Sequence, residues 1–211
     1  EATRTPGLRG ADVDFDLNQA GGKAALSIAS GALVLPRVFE DPVVPLDEFT
    51  ANVRWQLEGE RIAVQANDIR FANADAQGQA RMSWHTSDPA RVAHASRFPG
   101  VLDLSGALTR ADGTSVHRYL PLSIPADSRH YVEQAVVAGV ASHVDFKVKG
   151  DLHDMPFNDP KLGDFRIAAK VKDVTYAYVP PSLQPNETLR WPPLTQLAGE
   201  LIFERSSMQV R

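Results

Sequence analysis

The sequence has 211 residues, of which 43% are hydrophobic and 23% are charged, a composition that excludes intrinsic disorder and suffices for one large or two small domains. Its formal net charge of −4 excludes a strongly basic surface, so no nucleic-acid partner is expected. The absence of cysteine excludes a disulfide scaffold and zinc–thiolate sites.

No run approaches 18 consecutive apolar residues, and no basic start precedes an apolar stretch, so we expect neither a membrane span nor a signal peptide here. The chain opens without methionine and stops within the alternating segment SSMQVR. We therefore expect residues 1–211 to form one β-rich segment of a longer protein, with any membrane anchor outside it. A division into a β-meander at 1–110 and a helix plus β-meander at 111–211 is the alternative.

Alternation of apolar and polar residues with period 2 dominates the chain from its start. In VDFDL, Val13, Phe15 and Leu17 share one face against two aspartates. The same pattern recurs in VRWQLE, RIAVQAN, ARMSWH, VLDLSGAL, VDFKVKGDL, FRIAAKV, VTYAY, ELIF and SMQV. Successive side chains of a strand point to opposite faces, so this pattern predicts half-buried strands of an antiparallel meander.

Glycine-containing turns separate the alternating segments. The segments QAGGK (19–23), EGE (58–60) and RADGT (110–114) predict hairpins. Proline clusters at 36–45, 121–125, 156–160 and 180–193 predict longer loops or sheet edges, because proline cannot donate to the ladder.

One segment has helical spacing. Residues 127–138 predict a helix with Asp127 at the N-cap, Gly139 at C′, and Tyr131, Val132, Ala135 and Val136 on one apolar stripe. A shorter helical turn is expected at 88–96.

These elements predict a mainly β fold: an antiparallel, strongly twisted or curled sheet, as a β-groove or an open-barrel or sandwich-like arrangement, with one principal α-helix near 127–138. Ten strands of ~17 Å would present an apolar face of roughly 800 Å². A twelve-residue helix covers only about 180 Å², so it caps the sheet and does not form its core. The sheet must therefore fold onto itself, or something else must occupy the face.

The aromatic and aliphatic residues on the apolar phase of the strands have two interpretations. They form a packed core, or they form the wall of a groove that contacts acyl chains. The residues expected to be lipid-facing or core are Val53, Trp55, Leu57, Ile62, Val64, Met82, Trp84, Phe146, Val148, Phe165 and Ile167.

The sequence contains no recognisable catalytic, metal or cofactor motif. None of the six histidines stands four residues from another, as a helical metal pair requires, and there is no G-x-S-x-G, P-loop or G-x-G-x-x-G. Asp151 and Asp154 are candidates for an acid/base carboxylate pair, as in a carbohydrate-active β fold, but strand-end aspartates are the simpler interpretation. We therefore predict a protein that is not an enzyme and has no cofactor.

Several segments together resemble one protein family. The stretches YLPLSIPADSRHYVEQAVVAG, GDLHDMPF, LGDFRIAAKVKDVTYAYVP and WPPLTQLAGELIFE are similar to the YhdP-like, AsmA-related periplasmic proteins of Gram-negative bacteria. The upstream GALVLPRVFEDPVVPLDEFTANVRWQLEG and IRFANADAQGQARMSW resemble the preceding part of those proteins. Tyr131-Val132 replaces a common Trp-Leu pair, and Met155-Pro156-Phe157 replaces Phe-Pro-Phe, with apolar bulk retained.

The resemblance implies a specific role. Family members are similar to bridge-like lipid transfer proteins: an N-terminal helix anchors them in the inner membrane, and a periplasmic β-groove shields phospholipid acyl chains during transport to the outer membrane. The expected partners are phospholipid, the membrane through the external anchor, and envelope proteins. The alternative is a non-catalytic scaffold or interaction module in cell-envelope assembly.

Overall fold

The computed structural model describes residues 5–90, 96–184 and 191–211. Within these ranges the chain forms ten β-strands, one α-helix and three short 3-10 helices. The strands are β1 (Gly7–Asn18), β2 (Gly21–Val34), β3 (Val43–Glu58), β4 (Arg61–Ala72), β5 (Ala76–His85), β6 (Val101–Asp112), β7 (Val136–Asp151), β8 (Gly163–Tyr176), β9 (Leu194–Glu204) and β10 (Ser207–Val210). The α-helix is α1 (Ala126–Ala135), and the 3-10 helices are Gly113–Tyr119, Leu152–Asp154 and Pro181–Leu183. The helical turn predicted over 88–96 falls mainly on residues 91–95, which lie outside the described residues.

The ten strands form one antiparallel sheet in which strand order equals chain order. Every strand pairs with its neighbours in sequence, and β1 and β10 are the two open edges of the described sheet. The prediction of a mainly β, antiparallel fold is confirmed. Between β6 and β7 the chain leaves the sheet to form the 3-10 helix 113–119 and α1, and then returns to the next position. The division at residue 110 stays a prediction.

Two of the predicted hairpin turns are confirmed and one is wrong. The segments 19–23 and 58–60 connect β1 to β2 and β3 to β4. At 110–114, however, the Asp112 carboxylate accepts hydrogen bonds from the backbone and hydroxyl of Thr114, at 2.9 and 2.8 Å. This capping of the backbone starts a 3-10 helix where the Asp-Gly pair predicts a tight hairpin.

Register shifts interrupt six of the nine strand pairings among the described residues. Positive φ angles accompany them at Ser30 (65°), Asp68 (53°), Asp173 (54°) and Gln196 (55°). An extra residue on one strand bends that strand and increases its right-handed twist. Each bulge therefore adds bend and twist to the sheet where it occurs.

Helix α1 is shorter than predicted and has a different N-cap. It spans Ala126–Ala135, with Pro125 at the N-cap and no side-chain capping bond, so Asp127 lies in the first turn instead of capping it. Its carboxylate there still interacts favourably with the helix dipole. The helix retains Tyr131, Val132 and Ala135 of the predicted stripe, and Ala135 is fully buried.

The predicted helical positions of Val136 and Gly139 are wrong, because both belong to β7. The last helical carbonyl, that of Ala135, accepts a hydrogen bond of 2.8 Å from the Ala177 N–H, and Val136 already pairs with Tyr176. Sheet pairing thus ends the helix. Gly139 has a φ of 140° within the strand, where a Cβ would lie 2.8 Å from Val174 Cγ2, so the glycine serves a close strand approach and not a helix C′ position.

Candidate functional site: one uncovered apolar sheet face

The strand register brings apolar side chains together in rows that cross the sheet. In one row each residue is paired with the next: Phe15, Ala24, Val53, Ala66, Met82, Leu104, Val148 and Phe165. Paired residues of an antiparallel sheet share a face, so all eight point the same way.

Three further rows lie on this face, which we call the apolar face. The second row contains Leu17, Gly22, Trp55, Val64, Trp84, Leu102, Gly150 and Gly163. The third row contains Ile69, Ala80, Gly106, Phe146, Ile167, Phe203 and Met208. The fourth row contains Ala11, Ile28, Phe49, Phe71, Gly78, Leu108, Val144, Ala169, Leu201 and Val210. Leu57 pairs with Ile62 on the same side, so all eleven residues predicted from the sequence as lipid-facing or core lie on this face. Contact with lipid stays a prediction.

The opposite face carries polar rows. One of them runs through Asp16, Lys23, Arg54, Gln65, Ser83, Asp103, Lys149 and Asp164. Acidic and basic side chains pair along it, with Lys149 Nζ 3.0 Å from Asp103 and Lys23 Nζ 3.5 Å from Asp16. This face is therefore suited to water, and the sheet is amphipathic as a whole.

Within the part of the chain that the structure describes, no helix or second sheet packs on the apolar face, and only loop residues such as Phe98 and Phe157 lie against it at one end. Each described strand makes its extensive contacts with its neighbours in the sheet. Among the described elements, helix α1 makes extensive contacts only with β7 and with the 3-10 helix 113–119. With a rise of ~3.3 Å per residue and a spacing of ~4.8 Å, the ten strands form a face of roughly 1,900 Å². This exceeds the sequence-based area because most strands run 10 to 16 residues. It also exceeds the ~300–600 Å² of the largest apolar patch on an ordinary monomer.

Exposure varies across the apolar face. On the edge strands Phe15 and Met208 are each 60% exposed, whereas Ile28 on β2 is 3% and Val144 on β7 is 7% exposed. Exposure on the apolar face is therefore greatest along its two edge strands.

Glycines on the apolar face lie beneath bulky neighbours. A Cβ at Gly22 would stand 2.5 Å from Trp55 Cζ2, and one at Gly106 would collide with the Phe146 ring. Phe157, fully buried, leaves no room for a Cβ at Gly150 or Gly163, at 2.7 and 2.5 Å from its ring atoms. These glycines leave room for large rings that a Cβ would displace.

The end of the sheet that carries α1, which we call the helical end, is closed by hydrogen bonds. Asp75, only 8% exposed, accepts from Arg118 Nη1 at 2.6 Å, from the Tyr119 hydroxyl at 2.8 Å and from Ser115 Oγ at 3.0 Å. Asn73 donates to the Tyr119 hydroxyl at 3.0 Å. Burial raises the pKa of Tyr119, and its bond to Asp75 acts in the same direction. This network holds the 3-10 helix 113–119 against the β4–β5 turn.

Two residues of helix α1, Tyr131 and Arg129, attach it to the rest of the fold. Tyr131 donates to the Tyr178 carbonyl at 3.1 Å, and its oxygen lies 2.7 Å from the Tyr176 hydroxyl. Burial, with the Tyr176 hydrogen bond, raises the pKa of Tyr131 to about 12. Arg129, a buried cation, lies 3.3 Å from a Glu40 carboxylate oxygen. The helix is thus attached both to the end of β8 and to the β2–β3 loop.

At the opposite end, loops pack beside the rows. The Trp84 indole donates to the Pro99 carbonyl at 2.8 Å and stacks on Phe98, with ring centroids 5.7 Å apart. Asp151 is buried and lies 2.8 Å from His153 Nδ1. Burial alone would raise the pKa of Asp151, but hydrogen bonds from the His153 side chain and backbone outweigh it and hold the pKa below its ordinary value.

Asp151, one of the two carboxylates considered for catalysis, has a structural role. Asp151 caps the 3-10 helix 152–154 by accepting from the His153 N–H at 3.1 Å. Among the described residues there is no group of three histidine, aspartate or glutamate side chains that could hold a metal ion. Nor is any described helix long and apolar enough to cross a membrane.

Sequence analysis missed the glycines of the apolar face, Phe157 and the Asp75 network. Glycines on the apolar phase of alternating strands were a usable signal, since glycine in a strand often marks a close approach. No local sequence signal indicated the Asp75 network, because its members lie some 40 residues apart in the chain. Asp75 forms hydrogen bonds with residues 115, 118 and 119.

Comparison with known proteins adds one positive finding. A family model described as YhdP protein matches residues 1–211, the whole chain. No curated protein and no solved structure matches.

Proposed function

The chain belongs to the YhdP protein family, and on that premise we propose that its apolar face shields phospholipid acyl chains. The carrying observation is one apolar sheet face, about 1,900 Å² in geometric extent and built from four apolar rows, over which the described chain packs no helix or second sheet and whose edge residues Phe15 and Met208 are exposed. In an aqueous compartment a surface of this size requires an occupant. A phospholipid has the matching chemistry, because its acyl chains are apolar along their length.

The energetics support this role. Burial of an acyl chain contributes about 0.8 kcal/mol for each CH₂, so ten methylenes contribute about 8 kcal/mol before the cost of ordering. The rows contain alanine, glycine, aliphatic and aromatic side chains but no charged residue in the pairs that define them. Such a surface holds hydrocarbon without selecting one position, which suits movement along the rows.

We place the chain in the periplasm, as part of an inner-membrane-anchored protein of a Gram-negative bacterium that moves phospholipid between the inner and outer membranes. The family match supports an envelope role, and the polar rows of the second face suit an aqueous compartment. In this role the protein shields lipid without reacting with it, so it needs neither catalytic residue nor cofactor.

The test is native mass spectrometry of the chain purified from cells, with extraction and identification of bound lipid. Trp55→Asp places a carboxylate on the apolar face, where contact with hydrocarbon costs several kcal/mol. Gln56→Asp places the same group one residue away, on the polar face. Circular dichroism establishes that both variants fold.

We expect bound phospholipid on the unmodified chain and on Gln56→Asp, and its loss from Trp55→Asp. Phe146→Asp, on a neighbouring row, should behave like Trp55→Asp. Lipid retained by both folded apolar-face variants would contradict the proposal. A lipid-free, compact unmodified chain would favour the scaffold function instead.

A further inference from the structure

We propose that residues 113–135, which we call the strap, limit how strands β3 to β8 twist and bend relative to one another. After β6 the chain leaves the sheet, forms the 3-10 helix 113–119 and α1, and returns as β7. On its way it bonds to the β2–β3 loop, to the β4–β5 turn and to the residues that follow β8. One continuous segment thus joins points at the helical end that span six strands.

Strand pairing alone leaves the shape of this span loosely defined. Adjacent strands of a sheet twist by about −10° to −35° relative to one another, and five pairings separate β3 from β8. Register shifts interrupt four of those five pairings, and each shift adds a bend. Small changes in twist add up over five pairings. A segment that bonds to both sides of the span therefore removes freedom that the ladders leave.

The strap is anchored to the β2–β3 loop by its backbone and by a side chain. The Leu122 N–H donates to the Val38 carbonyl at 2.9 Å. Arg129 Nη2 lies 3.3 Å from a Glu40 carboxylate oxygen, and the arginine is only 9% exposed. A cation withdrawn from water depends strongly on its partner, so loss of the Glu40 carboxylate should release α1 from the loop.

On its other side the strap is held by the residues that follow β8. The Ala177 N–H donates to the Ala135 carbonyl at 2.8 Å, and the Tyr131 hydroxyl lies 2.7 Å from that of Tyr176. Asp75, in the β4–β5 turn, binds the middle of the strap through the network described above. The strap is thus bonded at both sides and between them, so its own length limits how β3 and β8 can move apart.

The consequence for lipid rests on the proposed function. Acyl chains that move along the rows cross all the strands from β3 to β8, and therefore pass through the strapped span. A span of fixed twist presents the same apolar surface to each chain that passes. Release of the strap should therefore reduce the amount of phospholipid that the chain carries.

The experiment measures distances between spin labels by pulsed electron paramagnetic resonance. The chain has no cysteine, so labels can be attached at introduced cysteines alone. Glu48→Cys/Lys172→Cys, the strap pair, labels β3 and β8 towards the helical end. Arg54→Cys/Arg166→Cys, the distal pair, labels the same two strands towards the opposite end. All four positions are exposed.

The strap is released by the double variant Phe39→Ala/Glu40→Lys. It reverses the charge that faces Arg129, and it removes a ring that packs edge-on against Tyr119, with centroids 6.2 Å apart. Asp47→Lys makes the same charge change at an exposed position of β3 and is the matched control. Circular dichroism establishes folding, and the single variant Glu40→Lys takes the place of the double variant if the latter does not fold.

We expect a narrow distance distribution for the strap pair in the unmodified chain and in the control. In the release variant this distribution should broaden and its mean should move by several ångströms, with a smaller change for the distal pair. An unchanged strap pair in the folded release variant would overturn the proposal. So would an equal change in both pairs, or the same change in the control.

Lipid extraction from the same samples separates this proposal from the proposed function. Changed distances with unchanged lipid content would overturn the role of the strap in lipid binding. An unmodified chain that carries no lipid would refute the proposed function, whereas the distances alone decide whether the strap restrains the sheet.

Discussion

Gly106 and Phe146 are direct partners in the β6–β7 ladder, and the phenyl ring lies over the glycine where a side chain would stand. Both residues belong to the apolar face near the centre of the sheet, between β5 and β8. The pair shows how the apolar face accommodates a large ring: the ring occupies space over a residue that has no side chain.

Substitution Gly106→Val tests this arrangement. The new side chain would displace the Phe146 ring, and overpacking of this kind costs about 1–3 kcal/mol. We expect the free energy of unfolding in urea to fall by that amount. The Gln79 backbone carbonyl crowds the same Cβ position, so part of this cost stays when the ring is removed. The double variant Gly106→Val/Phe146→Ala should therefore lose less stability than the sum of the losses in Gly106→Val and Phe146→Ala, because the colliding ring is gone. Losses that simply add would show that the two side chains do not compete for the same space.

The Asp75 network should hold the 3-10 helix 113–119 against the sheet. Asp75→Ala removes the carboxylate that accepts from the Tyr119 hydroxyl and from Arg118, and leaves Arg118 only the Asp41 carboxylate, 4.0 Å away. This change should lower stability by about 2–3 kcal/mol. Hydrogen exchange should accelerate first in residues 113–120, while the β2–β3 pairing stays protected. Unchanged exchange in 113–120 would contradict this role.

Acid should remove a contribution that Asp151 makes to stability. Because its pKa is lowered in the folded state, the folded chain binds this proton more weakly than the unfolded chain does. The contribution is complete above the ordinary carboxyl pKa and is lost as pH falls through the lowered one. Asp151→Asn should therefore flatten the acid limb of the unfolding free energy against pH. Asp14→Asn, at an exposed position, is the control, and equal flattening in both would refute the assignment.

Alkali should release helix α1. Tyr131 has a pKa raised to about 12, so its contribution is complete below the ordinary tyrosine value and is lost as pH rises towards the raised one. Ionised Tyr131 can no longer donate to the Tyr178 carbonyl. We expect Tyr131 and Tyr119, whose pKa values are both raised, to titrate late in ultraviolet absorption, and ionisation of Tyr131 to be accompanied by loss of helical circular dichroism. In Tyr131→Phe one of these late titrations should disappear, and the helical signal should be weaker already at neutral pH.

The strands could be predicted because alternation is a local signal. In VRWQLE and ARMSWH the period of two alone assigned Trp55 and Trp84 to the apolar side, and the register agrees. The end of α1 could not be predicted in this way, because Val136 continues the helical stripe. Its actual partner, Tyr176, lies 40 residues later in the chain. Competition from a distant strand has no local signature.

The candidate site was predictable in composition but not in size. Each strand revealed which of its faces is apolar, whereas strand length depended on bulges that let pairing continue past Asp68 and Asp173. Assuming strands of ordinary length therefore underestimated the face by more than half. The hairpin predicted at Asp112-Gly113 was wrong because the Asp112 side chain caps the backbone there, which favours a 3-10 helix over a two-residue hairpin.

Because strand order equals chain order, every extensive interstrand contact joins chain neighbours. Contacts that are local in sequence favour rapid folding and allow structure to spread from one hairpin to the next. Gain or loss of one hairpin would change the width of the sheet by about 9.6 Å and leave the other pairings intact. The width of such a sheet can thus change in evolution through the addition or loss of hairpins, while the remaining strand pairings stay as they are.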